Sequence, residues 1–433
     1  MLIELRLSAH NLLTIFKVIV AVNICLLAGS FIFNTASTHL PSYLFIFLRE
    51  TDLATENVFA AWYSSMLLLL SAVMSFNCFL MDAQIFQKRE NQILNYGWLI
   101  YTFVFALLSF DELGSVHEYI GDFIAFEKAG ELVMGTKDSG WILFYVVVAF
   151  VSLFMFVFSV IRLKKARWAL PLMVAGLLLY LSNPFQEFME IESMRAAASD
   201  ETWKRPVHFL LLEEGTELFG SLFFLIAISL YGFYTSREVN TKDVADDLVF
   251  RKQISKSVFM RLIYCFLLSM ALCLLLINIW FGDVIGDLQN GVPKNWITAC
   301  TAFMVSMYCF IIFNKEKTKR SYLLFSAFSM CLSIYYGSNR FAYNFDSDYS
   351  WGRLVLRSAL CVFALVAYLK LNRHLETRFA KPGLMVSFVI LATGIFAKRP
   401  YSSEITFIGL CCLILFLLAD RLQLQFFNKK LPV

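Results

Sequence analysis

One feature constrains this chain more than any other. Almost wholly apolar windows return along its whole length, such as "LLTIFKVIVAVNICLLAGSFIF" (12–33) and "VVVAFVSLFMFVFSVI" (146–161). A helix of about 17–25 such residues spans the hydrocarbon core of a bilayer. A helix on a water-soluble protein keeps one polar face; these windows have none. With 59% hydrophobic and 16% charged residues, the chain lacks the polar cover of a soluble globule of its length. The expected fold class is an all-α integral membrane protein.

Twelve transmembrane helices are expected, near 12–33, 58–81, 97–116, 141–161, 168–186, 207–234, 258–281, 295–313, 321–339, 353–371, 384–397 and 404–420. "LPSYLFIFL" (Leu40 to Leu48) is too short to span and is placed at the interface or as a re-entrant piece. The first apolar run is long and lacks a small-residue cleavage site, so it reads as a span and not a signal peptide. The ten cysteines fall inside apolar runs with no CxxC pair and read as small buried hydrophobes.

Alternating connections can be scored for charge. Roughly two thirds of the Lys and Arg residues fall on the side that holds both termini, including "RLKKAR" (162–167) and "KEKTKR" (315–320). Excess Lys and Arg marks the cytoplasmic face, so both termini are expected inside. Most acids lie on the other side. A charged cytoplasmic connection, 237–257, is expected to be partly helical and to divide two six-helix halves, 1–236 and 258–433. No nucleotide-binding glycine loop or nucleic-acid motif is present, and the expected surroundings are lipid.

This topology gathers scattered acids at one outer level. "FDELGSVHEY" (110–119) puts Asp111, Glu112, His117 and Glu118 at the outer end of the third helix. "EEGTE" puts Glu213, Glu214 and Glu217 at the outer start of the sixth. Glu56 and Asn57 open the second helix there, and Asn183, Gln186 and Glu187 close the fifth. Asp111 and Glu118 are two turns apart on one face, and Glu213 and Glu217 one turn apart. So many carboxylates at one depth need protons or a cation between them. Asp111, His117, Glu118, Glu213 and Glu217 are the candidate ligands of a divalent metal (Zn, Ca, Mn or Fe), with Glu112 and Glu214 as general bases and Ser64 and Ser65 within reach. The plainer alternative has the acids meeting water at the interface, paired with Arg195, Lys204 or Arg205. On the outer side of the second half, Arg340, Arg353 and Arg357 are candidates to bind an anionic part of a substrate, or to pair with neighbouring acids such as Asp346 and Asp348.

"DELGSVHE" (111–118), with "TENVFAAWYSS" before it and "EEGTE" after it, resembles a group of uncharacterised bacterial polytopic membrane proteins with a DExxxxHE pattern at a helix end. The resemblance covers the first six helices and implies a multi-pass protein of the bacterial inner membrane. "TDLATEN" and "DEL" resemble short pieces of the alkaline ceramidases, membrane zinc amidases with a carboxylate calcium site. Their paired helical histidines have no counterpart here, since His10, His39, His117, His208 and His374 form no HxxxH, and no ligand is carried over. The expected function is a metal-dependent hydrolase or transferase on a lipid or lipid-linked substrate, because the acids concentrate at one outer level whereas a relay would string them across the membrane. The alternative is a proton- or cation-coupled secondary transporter of a small ion; a scaffold subunit without catalysis is the third and plainest.

Overall fold

The structure is a computed structural model of the 433-residue chain. It describes residues 2–36, 41–53, 55, 58–85, 94–114, 144–196, 206–239, 247–253, 292–315, 320–337, 350–372, 380–396, 405–413 and 417. These are helical apart from turns and one pair of short strands. Strand β1 is Leu2–Ser8, followed by α1 (Ala9–Ala36), α2 (Ser42–Arg49), α3 (Phe59–Ile85), α4 (Gly97–Gly114), α5 (Phe144–Leu163), α6 (Ala169–Ala196) and α7 (Val207–Val239). Strand β2 (Asp247–Gln253) precedes α8 (Val292–Lys315), α9 (Arg320–Gly337), α10 (Ser350–Asn372) and α11 (Ala380–Phe396), and residues 405–413 are also helical.

Helices occupy the described parts of every expected segment but the seventh, 258–281, which lies outside the described residues. Three of them, Leu12–Ala36, Phe59–Asp82 and Val207–Ser236, are long and apolar enough to cross a membrane. Shorter apolar helices run over Val148–Leu163, Ala169–Asn183, Trp296–Phe310, Ser321–Tyr336 and Lys381–Ile395. Inside such helices, hydroxyls turn back on their own backbone. Ser71 donates to the Leu67 carbonyl at 3.0 Å, Ser75 to Ser71 at 2.8 Å and Thr301 to Ile297 at 2.8 Å. That habit lets serine and threonine sit in an apolar helix without a neighbour.

The connection 237–257, expected to be partly helical, is helical over 237–239, where α7 ends, and also contains β2, which pairs with β1. The cause is a period of two: Ile3, Leu5 and Leu7 alternate with Glu4 and Arg6, and "DLVFRKQ" carries a short apolar run too brief for a stable helix. Asn183, Gln186 and Glu187 do not close the fifth helix. Helix α6 continues through Pro184 to Ala196, since packing of a helix on its neighbours can outweigh the one backbone bond that proline removes.

The chain divides into two compact units, Arg6–Phe250 and Met1–Leu5 with Arg251–Val433. In the second, α8, α9, α10 and α11 pack in sequence. Ser326 and Ser333 reach across from α9 to the Ser306 and Ala299 carbonyls of α8 at 2.8 and 2.7 Å.

In the first unit, α3 lies between α4 and α7, α6 lies along α7, α1 packs on α7 and α5 on α6. Its core is aromatic. Trp98, Tyr101 and Phe105 on α4 meet Phe158 on α5 and Phe224 and Tyr231 on α7, with ring centroids 5.0–5.8 Å apart. Helices α6 and α7 approach closely at two glycines. A Cβ on Gly176 would stand 2.7 Å from the Phe224 ring and 3.1 Å from the Gly220 carbonyl oxygen; one on Gly220 would stand 2.7 Å from Tyr180.

The turn from α2 into α3 is held by acids. The Phe59 N–H donates to Glu50 Oε2 at 3.0 Å and the Ala60 N–H to the Glu50 carbonyl at 3.1 Å, so Glu50 caps the start of α3. Asp52 accepts from Asn34 at 2.8 Å and Ser30 at 3.3 Å, fastening the turn to the last third of α1. Burial raises the Glu50 carboxyl from an ordinary 4.5 to about 7, against the opposing pull of the Phe59 N–H and Arg49.

Two predictions follow from this packing. Gly220→Val should destabilise the purified protein by roughly 1–3 kcal/mol through overpacking against Tyr180, read as a lower thermal midpoint. Glu50 takes up a proton on folding, so its contribution is fullest below pH 4.5 and is lost as pH rises through about 7. In Glu50→Gln, which keeps an acceptor for Phe59, that fall of roughly 1–3 kcal/mol across the interval should flatten in thermal unfolding measured at several pH values.

Candidate functional site

Antiparallel neighbours bring the start of one helix beside the end of the next. The start of α3 therefore meets the end of α4, and the middle of α6 meets the first turns of α7. The polar residues of these four helices fall at that shared end.

Ser64 on α3 donates to Glu112 Oε1 on α4 at 3.0 Å. One residue on, Ser65 donates to the Ser109 carbonyl at 2.6 Å, with the Ser109 hydroxyl 3.0 Å away. Across the bundle, the Asn183 amide on α6 donates to Glu217 Oε1 on α7. The Thr216 hydroxyl lies 2.9 Å from Asn183 Oδ1 and 2.7 Å from the Glu213 carbonyl. The Gln186 amide donates to Ser182 at 2.7 Å and to Thr216 at 3.2 Å. Ser182 gives its own hydrogen to the Leu179 carbonyl at 2.6 Å, so both hydroxyls can only accept from Gln186. That fixes the amide orientation and leaves Gln186 Oε1, buried, without a hydrogen-bond partner among the described residues.

Charge converges on Glu217. Glu112, Glu214, Glu213 and Asp111 all lie within electrostatic reach of its carboxylate. The Tyr180 phenol on α6, bonded to Ser221 of α7 at 2.6 Å, lies within the field of Glu112, Glu217 and Asp111. Asp111, Glu112, Glu213, Glu214 and Glu217 are all half-buried. The structure thus brings together the acids of α4 and α7 with Asn183 and Gln186 of α6.

Other predicted residues are not placed there. His117, Glu118, Glu56, Asn57 and Arg340 lie outside the described residues, as do the side chains of Glu187 and Arg353. Arg357 is in the second unit, where its Nε donates to the Tyr335 hydroxyl at 3.4 Å. Among the described residues, no three of His, Cys, Asp and Glu gather closely enough to hold a metal ion. The proposed ligands Asp111, Glu213 and Glu217 therefore do not by themselves form a metal centre.

Sequence reasoning passed over several residues of this end. Tyr63 on α3 donates to Asn23 Oδ1 at 2.8 Å, and Asn23 on α1 donates to the Leu218 carbonyl at 3.5 Å, which joins α1 to the site. Asn23 had a signal, being a lone amide in the middle of an apolar helix. Thr216 and Ser221 had none, since hydroxyls in apolar helices usually bond to their own backbone.

No curated protein and no solved structure matches the chain. Residues 13–231 match a family model, and the match takes in α1 to the greater part of α7, hence all of the acids and amides just described. The chain belongs to the family described as a domain of unknown function, DUF8692.

Proposed function

We propose that this chain is a polytopic protein of the bacterial inner membrane whose outward-facing carboxylates take up a cation in the course of cation-coupled transport. Support for the membrane comes from its surface. Helix α5 exposes Phe150 (72%), Leu153 (59%) and Val157, and α1 exposes Leu13, Val18 and Ile24. Apolar faces of that extent exceed the patches of soluble monomers and suit lipid. The Lys and Arg bias puts both termini, and the ends of the helices away from Glu217, in the cytoplasm.

Glu217 carries the reading. Four other acids, Glu112, Glu214, Glu213 and Asp111, lie within its electrostatic reach, and the neutral Asn183 amide donates a hydrogen bond to it. A carboxylate so placed in an apolar bundle is stabilised by a shared proton or a bound cation, and acids of this kind serve as relays. The carboxylates are spread over α4 and α7, and Glu112 and Glu217 are each hydrogen-bonded to a side chain of a neighbouring helix, which suits cation exchange better than a fixed metal cage.

A second reading has one observation in its favour. Ser64 hydrogen-bonded to Glu112 at 3.0 Å has the geometry of a hydroxyl beside a base. On that reading a divalent metal, held by Asp111, Glu213 and Glu217 with His117 and Glu118, would supply an activated water to a lipid or lipid-linked substrate, with Glu112 or Glu214 as base.

One experiment separates the two. Purified protein is jumped from alkaline to acidic pH with an indicator dye, and its metal content is measured in parallel. Glu217→Gln should take up roughly one proton fewer than wild type, with no change in metal. An unchanged proton count sinks the cation-uptake reading, and stoichiometric metal that Glu217→Gln loses would establish the metal-dependent one.

A further inference from the structure

A second buried charge lies at the other end of the same helices. Asp82, in the last turn of α3, is fully buried. Its Oδ2 accepts from the Trp98 indole of α4 at 2.8 Å, and its Oδ1 accepts from the Tyr231 hydroxyl of α7 at 2.9 Å. Arg162, near the end of α5 and also buried, brings its Nε to 3.8 Å from Oδ2. Three helices thus each give one group to a carboxylate carried by a fourth. Trp98 and Tyr231 sit roughly 21 Å along α4 and α7 from Glu112 and Glu217 at the rise of an α-helix. Tyr101, Phe105 and Phe224 fill the interval.

An ion pair is a poor way to make such a bundle stable. Desolvating both charges offsets most of their attraction, and apolar residues of equal volume usually serve as well or better. An acid and a base buried together in an apolar bundle are better explained by a change of state. We propose that Asp82 is a proton-binding site: its carboxylate takes up a proton, Arg162 keeps its own charge and is released, and the end of α5 loosens from α3, α4 and α7. Trp98 and Tyr231 hold the two oxygens in both states. Among the described residues, the titratable and polar groups facing Asp82 include Cys78 on its own helix, Trp98, Tyr231 and Arg162; Lys164 and Lys165, in the turn after α5, are exposed. The purpose of the site rests on the cation-uptake reading, as the inner counterpart of Glu217. Its test does not.

Cys78 supplies a native reporter. It lies one turn before Asp82, is fully buried, and its thiol points at the Ile228 carbonyl of α7 at 3.8 Å. The purified protein in lipid nanodiscs is treated with N-ethylmaleimide across pH 5–8, and the Cys78 peptide is followed by mass spectrometry. Loss of thiolate alone slows this reaction as pH falls. Opening at Asp82 should reverse that trend, with alkylation of Cys78 at least about tenfold faster at the acid end. Asp82→Asn, which mimics the protonated carboxyl, should keep only the ordinary slowing with acid and exceed the wild-type rate most at pH 8. Arg162→Gln leaves the Trp98 and Tyr231 bonds in place, so it serves if Asp82→Asn fails to fold, and it should shift the acceleration to higher pH. Wild-type alkylation that only slows on acidification, or a variant whose Cys78 rates match wild type throughout, overturns the proposal. The proton count at Glu217 can fail or succeed independently of either result.

Discussion

Polar side chains enclosed by apolar helices have no water to turn to, and the first unit is organised by that constraint. Most amides, hydroxyls and carboxylates inside it therefore find partners on a neighbouring helix or on their own backbone. Hydroxyls can do the second, and many do. Asn23, Asn183, Glu217 and Asp82 cannot, so the helices are set in register where these groups meet: α1 against α3 and α7, α6 against α7, and α3 against α4, α5 and α7.

The result is layered. A carboxylate and amide layer lies at one end, a single acid with its arginine at the other, and large rings lie between. Aromatic rings fill that middle with little rotamer entropy to lose, and the α6–α7 approach at Gly176 and Gly220 lets Tyr180 and Phe224 pack over bare backbone. Those glycines set the distance at which Asn183 can reach Glu217. Packing in the middle therefore supports the chemistry at the end, although none of the middle residues carries charge.

Much of this was legible in the sequence, unevenly. The apolar windows located helices well because nothing else keeps so many apolar residues together. The acids of α4 and α7 were legible as a group because they share one helix end. What escaped has physical reasons. Asp82 stands one residue past the expected end of its helix, and Arg162 opens the basic run "RLKKAR", so both read as solvated loop charges until the backbone continued and buried them. The fifth helix was expected to end at 186, where its polar residues begin, but it runs on to Ala196. The strand pair was too short for a period of two to stand out within a charged connection.

The central claim is that the acids of α4 and α7 face partners on α3 and α6 inside one bundle. Cross-linking between introduced cysteines tests it most directly, in protein whose native cysteines are replaced. Ser64→Cys with Glu112→Cys, and Asn183→Cys with Glu217→Cys, should each link rapidly under a short bismaleimide, while Ser64→Cys with Tyr231→Cys should not link. Absence of linking in both close pairs, in folded protein, would contradict the account, as would equal linking in all three.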